Sequence, residues 1–292
     1  MKKIITYLIL VIFIIAGILF FLTRVPAVQD ALFQRLAQNL ISTAPNIFPE
    51  EDSLSALVCG SKSPLPHPTR AETCVMIKAG EETFIFDVGN KSIDNLRNWR
   101  VPLNQLNSIF ISHLHSDHIA ELPEIHMWNW IGTGRQSKLK VYGPEGINQV
   151  LNGFTEAFSL DWKYRNDHHG DKFAPLKAAG FDGYEITDFS EPVYESNGIV
   201  ITAFLVDHKP IDPSLAFKIE YKGRSIVLSG DTIYSEAILN NSKNVDVLFH
   251  EAFHKGTLDM MYNALPENSS SRIAIVDIQN YHTNTIEVAN LA

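Results

Sequence analysis

Four residues able to bind a metal ion crowd into six positions in the run His113-Leu114-His115-Ser116-Asp117-His118. Imidazole nitrogens and carboxylate oxygens are the donors that suit zinc and related divalent ions. The apolar stretch Ser108-Ile109-Phe110-Ile111 comes just before the run. In an extended chain, side chains two apart share a side, so His113 and His115 can reach one cation. Asp117 and His118, beyond a turn, can reach a second. A chance cluster of solvated histidines would need no strand in front of it. Two cations need more donors than one loop supplies, and the right types stand beside other apolar stretches. His208 follows Ile201 to Val206, Asp231 follows Ser225-Ile226-Val227-Leu228-Ser229-Gly230, and His282 precedes Thr283-Asn284-Thr285 at an expected helix start. A carboxylate is the natural bridge between two cations, because each oxygen can bind one of them. Two close cations lower the pKa of a water between them and stabilise charge on a leaving oxygen, which suits hydrolysis of an ester-type bond. Histidine ligands must be neutral, so acid should release the metal.

Positioning such groups takes strands and the turns at their ends. Short β-rich runs appear at Leu54 to Cys59, Cys74 to Lys78, Thr83 to Asp87, Ser108 to Ser112 and Leu139 to Tyr142. A second series covers Ile199 to Val206, Ala216 to Tyr221, Ser225 to Ser229 and Val245 to Phe249. Helical stretches fall around Ile93 to Trp99, Glu121 to Trp130, Gly146 to Phe158 and Thr285 to Leu291. Two β-rich halves, each with helices, fit an α/β fold of four layers, αββα. The polar, aromatic segment Asp161 to Glu195 reads as an insertion or a lid facing the substrate. Cys59 and Cys74 have no zinc-knuckle spacing. On neighbouring strands in an oxidising compartment they could form a disulfide; two separate buried thiols fit as well.

The N-terminus departs from globular composition. Lys2 and Lys3 precede an uncharged apolar run from Ile4 to Leu22, long enough to cross a membrane as a helix. No convincing cleavage site follows Phe21-Leu22-Thr23-Arg24, so residues 1–24 read as an uncleaved transmembrane anchor. Ala27 leaves a cleaved, secreted form open. The paired lysines stay in the cytoplasm by the positive-inside rule, which puts the catalytic part outside it, in a periplasm or at the cell surface. Residues 25–52 are expected as an amphipathic helix, with Val28, Leu32, Leu36 and Leu40 every four residues, and a linker from Ser42 to Asp52 holding Pro45 and Pro49. Residues 53–292 are then the hydrolase domain.

The motifs resemble the metallo-β-lactamase superfamily, in its ribonuclease Z and arylsulfatase-like branch. From about Leu54 onward the chain shows Gly60-Ser61-x-Ser63-Pro64, Phe86-Asp87-Val88-Gly89, the His113 to His118 run, Gly143-Pro144-x-Gly146, Asp207-His208, Ser229-Gly230-Asp231-Thr232, His250-Glu251-Ala252 and His282-Thr283, in the family's order. The resemblance implies a metallo-β-lactamase sandwich and two metal ions, zinc first, with manganese or iron as alternatives. It assigns His113, His115 and His208 to one metal, Asp117, His118 and His282 to the other, and Asp231 to the bridge. Asp87 is implied as an outer residue that holds the metal loop. Asp117, His250 and Glu251 are the catalytic candidates, the last two through a pair that assists the leaving oxygen in ribonuclease Z. The family also leads one to expect a further strand after His282, whereas the sequence stops at Ala292.

Charge narrows the substrate. The formal net charge of −9 gives no sign of the basic surface that a phosphate backbone needs, so nucleic acid is not the expected partner. No basic Gly/Pro arm for clamping tRNA is apparent. The expected substrate is a small ester: a phosphodiester, a sulfate ester or a lactone. The alternatives are a ribonuclease Z-like endonuclease processing the 3′ end of tRNA, and a metal-binding domain without catalysis.

Overall fold

In the computed structural model, residues 2–42, 47–49 and 52–291 are described. Positions 43–46 and 50–51 of the expected linker, Pro45 among them, lie outside the described residues. The chain divides into two units, Met1–Pro45 and Asn46–Ala292. The first holds two helices, α1 (Lys2–Leu22) and α2 (Pro26–Ser42). Ile4–Leu22 has a mean hydropathy of 3.0 and none of it is buried, a length and composition shared by membrane spans and signal sequences. Proline opens α2, where its missing N–H costs nothing. Leu32 and Leu36, one turn apart on this helix, are exposed, as is Phe33.

The second unit is built from two sheets with helices outside them. The first half of the chain supplies β1 (Leu54–Gly60), β2 (Cys74–Ala79), β3 (Glu82–Phe86), α3 (Ser92–Asn98), β4 (Leu106–Phe110), α4 (Ser116–Ile119), α5 (Leu122–Met127), β5 (Leu139–Gly143), α6 (Ile147–His169) and β6 (Phe181–Glu185). The second half supplies β7 (Tyr194–Ser196), β8 (Ile199–His208), β9 (Ile211–Tyr221), β10 (Arg224–Leu228), α7 (Glu236–Asn241), β11 (Val247–Phe249), α8 (Lys255–Ala264), α9 (Ser271–Tyr281) and α10 (Thr285–Leu291). One sheet runs β1-β2-β3-β4-β5-β6, the other β11-β10-β9-β8-β7.

Period-two alternation sorts the side chains into layers. On β2 to β5, Met76, Ile85, Ile109, Leu139 and Val141 turn outward to meet Ile93 of α3, Ile125 of α5 and Leu151 of α6. Their neighbours Ile77, Phe84, Phe86 and Phe110 turn inward and pack against Ile201, Leu215, Phe217, Ile219 and Ile226 of the other sheet. Ala216, on the far face of β9, packs with Ile238 of α7 and Leu291 of α10. The four-layer αββα sandwich expected from the sequence is the fold observed.

Cys59 and Cys74 are joined in a disulfide between β1 and β2. The ladder skips from Val58 to Gly60 opposite Val75 and Cys74, so Cys59 occupies the bulge.

The segment Asp161 to Glu195 is not an insertion or a lid. α6 runs through it as far as His169, then a turn leads to β6, which pairs in parallel with β5 and completes the first sheet. Ile147, Leu151 and Trp162 lie on one buried side of α6, which carries on through Gly153 and ends at Gly170, whose φ of 76 closes the helix. Trp162 is core, only 4 % exposed.

Parallel pairing brings strand ends together. β3, β4, β5 and β6 run the same way, and in the second sheet β10 is parallel to β11 while β8 and β10 are both antiparallel to β9. The residues just beyond β3, β4, β8, β10 and β11 are therefore the ones that can converge, as loops at the C-terminal ends of strands do in open α/β sheets.

Candidate metal centre

The two sheets are tied at this edge by a hydrogen bond from the Leu215 amide to the Ser112 carbonyl, 2.9 Å. Gly230 (φ +60) passes so close that a Cβ would lie 2.4 Å from the Leu215 carbonyl oxygen, so glycine is required there by both backbone and space. Gly89 is as constrained: a Cβ would meet the Asp117 carbonyl at 2.1 Å. These approaches set the loop after β10, which carries Asp231, and the loop after β3, which carries Asp87, against the His113 to His118 run.

Seven donors meet there. Three sets each have all ligand atoms within 4.8 Å of one another: His113, His115 and His208; His113, His118 and Asp231; and His208, Asp231 and His282. His113 Nε2 is 3.0 Å from His115 Nδ1. His118 Nε2 has the Oδ2 atoms of Asp231 and Asp117 at 3.3 and 3.7 Å, without an aligned hydrogen bond. His282 Nδ1 is 4.0 Å from Asp231 Oδ2. Asp117 stands beside these sets, within reach of His118. His113, His118 and His208 are fully buried.

Each buried imidazole is held from behind. Asp87 accepts from the Ser112 amide on Oδ1 (2.8 Å), and on Oδ2 from the Ser112 hydroxyl (2.8 Å) and His118 Nδ1 (2.9 Å). Its φ of 59 is a conformation that aspartate adopts more readily than most side chains, here fixed by the Asp87 amide bonding to the Phe110 carbonyl. His208 Nδ1 donates to the Tyr281 carbonyl (2.8 Å), so its lone pair sits on Nε2. Glu251 Oε1 accepts from His282 Nδ1 (2.9 Å) and from the Thr283 and Thr232 amides (3.1 and 3.3 Å). His250 Nδ1 donates to the Glu251 carbonyl (2.7 Å).

Burial pushes the pKa of His113 well below its usual value, helped by the neighbouring His118. It also lowers His115, His208 and His250. Burial opposes a charge on His118 too, yet Asp231 and Asp87 hold its pKa well above normal. On His282 burial is the largest single influence and lowers the pKa, but the bond to Glu251 and the charges of Glu251, Asp231 and Asp117 together raise it. Asp231 is part-buried, and burial opposes its charge, but His118, His113 and His282 keep it ionised well below the carboxylate range. Burial raises Asp117 and Glu251. The lowered Asp231 and the raised His118 and His282 share one direction: the cluster favours positive charge at its centre, which a bound cation would supply.

The donor set fits divalent metal ions. His208 Nε2 is buried with no hydrogen-bond partner, an arrangement that is costly unless something electrophilic faces the lone pair. Five imidazoles and an ionised carboxylate within ligand reach, with outer partners fixing the rings, is the composition of a built metal site.

The family profile described as “Anti-Pycsar protein Apyc1” matches residues 58–289. A ribonuclease Z of Mycobacterium bovis (strain BCG) is 30 % identical over 241 residues, covering 82 % of this chain and 81 % of that one. The chain belongs to the Apyc1 family, in the ribonuclease Z branch of the metallo-β-lactamase superfamily. A ribonuclease Z of Mycobacterium marinum is 31 % identical over 235 residues, with 80 % and 79 % covered. Among solved structures, the short form of human tRNase Z superposes with a TM-score of 0.59 at 20 % identity, covering 81 % of this chain and 87 % of that one. A metallo-β-lactamase fold protein of Bacillus subtilis gives 0.57 at 18 % identity, with 82 % of each covered. Membership makes the chain a metal-dependent hydrolase of ester bonds.

All ten residues singled out from the sequence gather at this edge of the sandwich. Two that were not singled out join them. Ser112 contacts Asp87, His113 and His118, and Tyr281 lies with its ring centroid 5.1 Å from that of His208 and 4.7 Å from that of His282. The only sequence signal for either is adjacency to a ligand.

Proposed function

We propose that the chain hydrolyses a small phosphodiester at a centre of two divalent cations, zinc in preference to manganese or iron. His113, His115 and His208 would hold one cation and Asp117, His118 and His282 the other, with Asp231 the carboxylate shared between them. Bound there, the cations would acidify a water and offset charge on the reacting phosphate. The observation that carries the reading is the convergence of six donors, with Asp117 beside them and His208 Nε2 buried and without a partner. A domain that only stores metal has no need of such a convergence beside a further buried histidine. That histidine is His250, whose Nε2 is also buried and free of hydrogen bonds. With Nδ1–H committed to the Glu251 carbonyl, neutral His250 offers Nε2 as an acceptor; it can pass a proton to a leaving oxygen only after taking one up. Glu251 aligns His282, and Asp87 aligns His118.

Phosphorus chemistry is favoured over a sulfate ester or a lactone because the relatives and fold neighbours include ribonuclease Z, tRNase Z and a diphosphatase. A small substrate is favoured over tRNA by the net charge of −9 and by an N-terminal helix suited to anchoring the domain outside the cytoplasm. The Cys59–Cys74 disulfide agrees with that compartment. Since Asp161 to Glu195 is part of the sandwich, it lends no support to an aromatic lid. Cleavage of tRNA 3′ ends is the second reading, favoured by 30 % identity to ribonuclease Z across four fifths of both chains.

The test is a panel of chromogenic phosphodiesters, sulfate esters and lactones alongside a tRNA precursor, with zinc present and salt varied, joined to cell fractionation. Phosphodiester turnover by membrane-bound protein is expected. Soluble protein that cuts the precursor, with binding that falls steeply with salt, would establish the second reading instead.

A further inference from the structure

Ser112 has a place in the hydrogen-bond network that the assigned ligands do not explain. It is 2 % exposed, at the tip of β4, between Asp87 and the two histidines His113 and His118. Its hydroxyl oxygen is 2.8 Å from Asp87 Oδ2, 3.1 Å from His113 Nδ1 and 3.3 Å from His118 Nδ1.

A hydroxyl has one hydrogen to give, and an ionised carboxylate can only accept. The Ser112 hydrogen therefore goes to Asp87. The Ser112 oxygen can then only accept from His113, which places the hydrogen of His113 on Nδ1 and its lone pair on Nε2. Nε2 is the atom that faces His115 and the metal cluster. His118 reaches the same Asp87 Oδ2 directly, at 2.9 Å, which puts its own lone pair on Nε2. One carboxylate thus fixes the tautomer of two imidazoles, the first through a hydroxyl and the second without an intermediary. Resting on the two-metal reading above, His113 and His118 serve different cations. The other outer contacts are private by comparison: the Tyr281 carbonyl holds His208, and Glu251 holds His282.

We infer that Ser112 is a positioning residue that ties both metal positions to Asp87, so that the two cations depend on one buried hydrogen-bond hub. Replacing Ser112 by alanine removes a single buried hydroxyl and leaves Asp87 bonded to His118 and to the residue 112 amide. His113 loses its acceptor and is free to turn or to carry its hydrogen on the nitrogen that should face the metal. Asp87 loses one of the three donors that hold it, which loosens His118 as well.

The experiment is a zinc titration of chelator-treated full-length protein, by calorimetry and by competition with a coloured chelator. It compares wild type, Ser112→Ala, Ser112→Thr and Glu251→Gln. Loss of an outer partner typically costs about 10–100-fold in metal affinity. Ser112→Ala is expected to weaken both zinc steps, by about tenfold or more at the His113 position. Ser112→Thr, which keeps the hydroxyl, is expected to stay within a few-fold of wild type. Glu251→Gln is expected to weaken one step only. The unfolding temperature of each metal-free variant separates metal binding from a general loss of fold. Two zinc ions in wild type with both steps unchanged, or only one weakened, in Ser112→Ala would overturn the hub alone. A wild type that binds a single zinc would overturn the two-metal reading and the hub with it.

Discussion

Breaking the Cys59–Cys74 bond gives a stability change that can be worked from the structure. The bond closes a loop of 15 residues and joins two strands that are also paired by a ladder, so its main effect is to restrict the unfolded chain. For a loop of that length the lost chain entropy corresponds to about 3 kcal/mol at 25 °C. Both sulfurs are buried, Cys59 at 1 % and Cys74 at 0 % exposure, so Cys59→Ala/Cys74→Ala adds a small packing loss in the same direction. In a domain of this size each kcal/mol moves the melting temperature by about 2–4 °C, which gives a fall of about 6–12 °C. The assay is differential scanning fluorimetry of the double variant against wild type, both loaded with zinc, with free thiols counted after denaturation without reductant. A melting temperature within about 2 °C of wild type, or two free thiols in the wild-type chain, would refute the reasoning.

Other consequences can be measured separately. Burial pushes the His126 pKa down to about 4, so between about pH 6.5 and 4 the unfolded chain takes up a proton that the native one refuses. Stability is then present above that window and falls as pH drops through it, by at most about 1.4 kcal/mol per pH unit, and urea midpoints of metal-free protein should show a flatter profile in His126→Gln. Gly230→Ala should cost about 1–2 kcal/mol for the left-handed backbone alone, and more for the contact with Leu215; an unchanged melting temperature would count against the tight approach of the two sheets. His250→Gln should lower kcat by about 10²–10⁴-fold while zinc content stays at the wild-type level. Loss of zinc in that variant would place His250 among the metal's supports instead.

The strands were legible as short apolar, β-rich runs, because both faces of β2 to β4 are packed, Ile77, Phe84, Phe86 and Phe110 on one and Met76, Ile85 and Ile109 on the other. The His113 to His118 run was legible for the same reason that it works, since an extended segment and one turn bring its donors together without help from the rest of the chain. His208, Asp231 and His282 needed the order of motifs, because nothing in their local sequence says that three distant strand and helix ends meet. The reach of α6 was missed where its buried side thins to single residues, Leu151 and then Trp162, among polar neighbours. β6 and β7 were missed because both are edge strands, short and largely polar, whose pairing is set by β5 and β8. α8 and α9 were missed for a related reason: each buries one residue, Leu258 and Ile275, which leaves a weak period to read. Ser112 escaped because a hydroxyl's role depends on which carboxylate it meets, and Asp87 lies 25 residues away in sequence.

The most direct measurement of the central claim is zinc content and phosphodiester hydrolysis determined together on wild type and Asp231→Ala. Two zinc ions per chain with turnover in wild type, and a folded Asp231→Ala protein that loses zinc and activity together, is the result expected. An Asp231→Ala protein that hydrolyses the phosphodiester without bound metal would contradict the account.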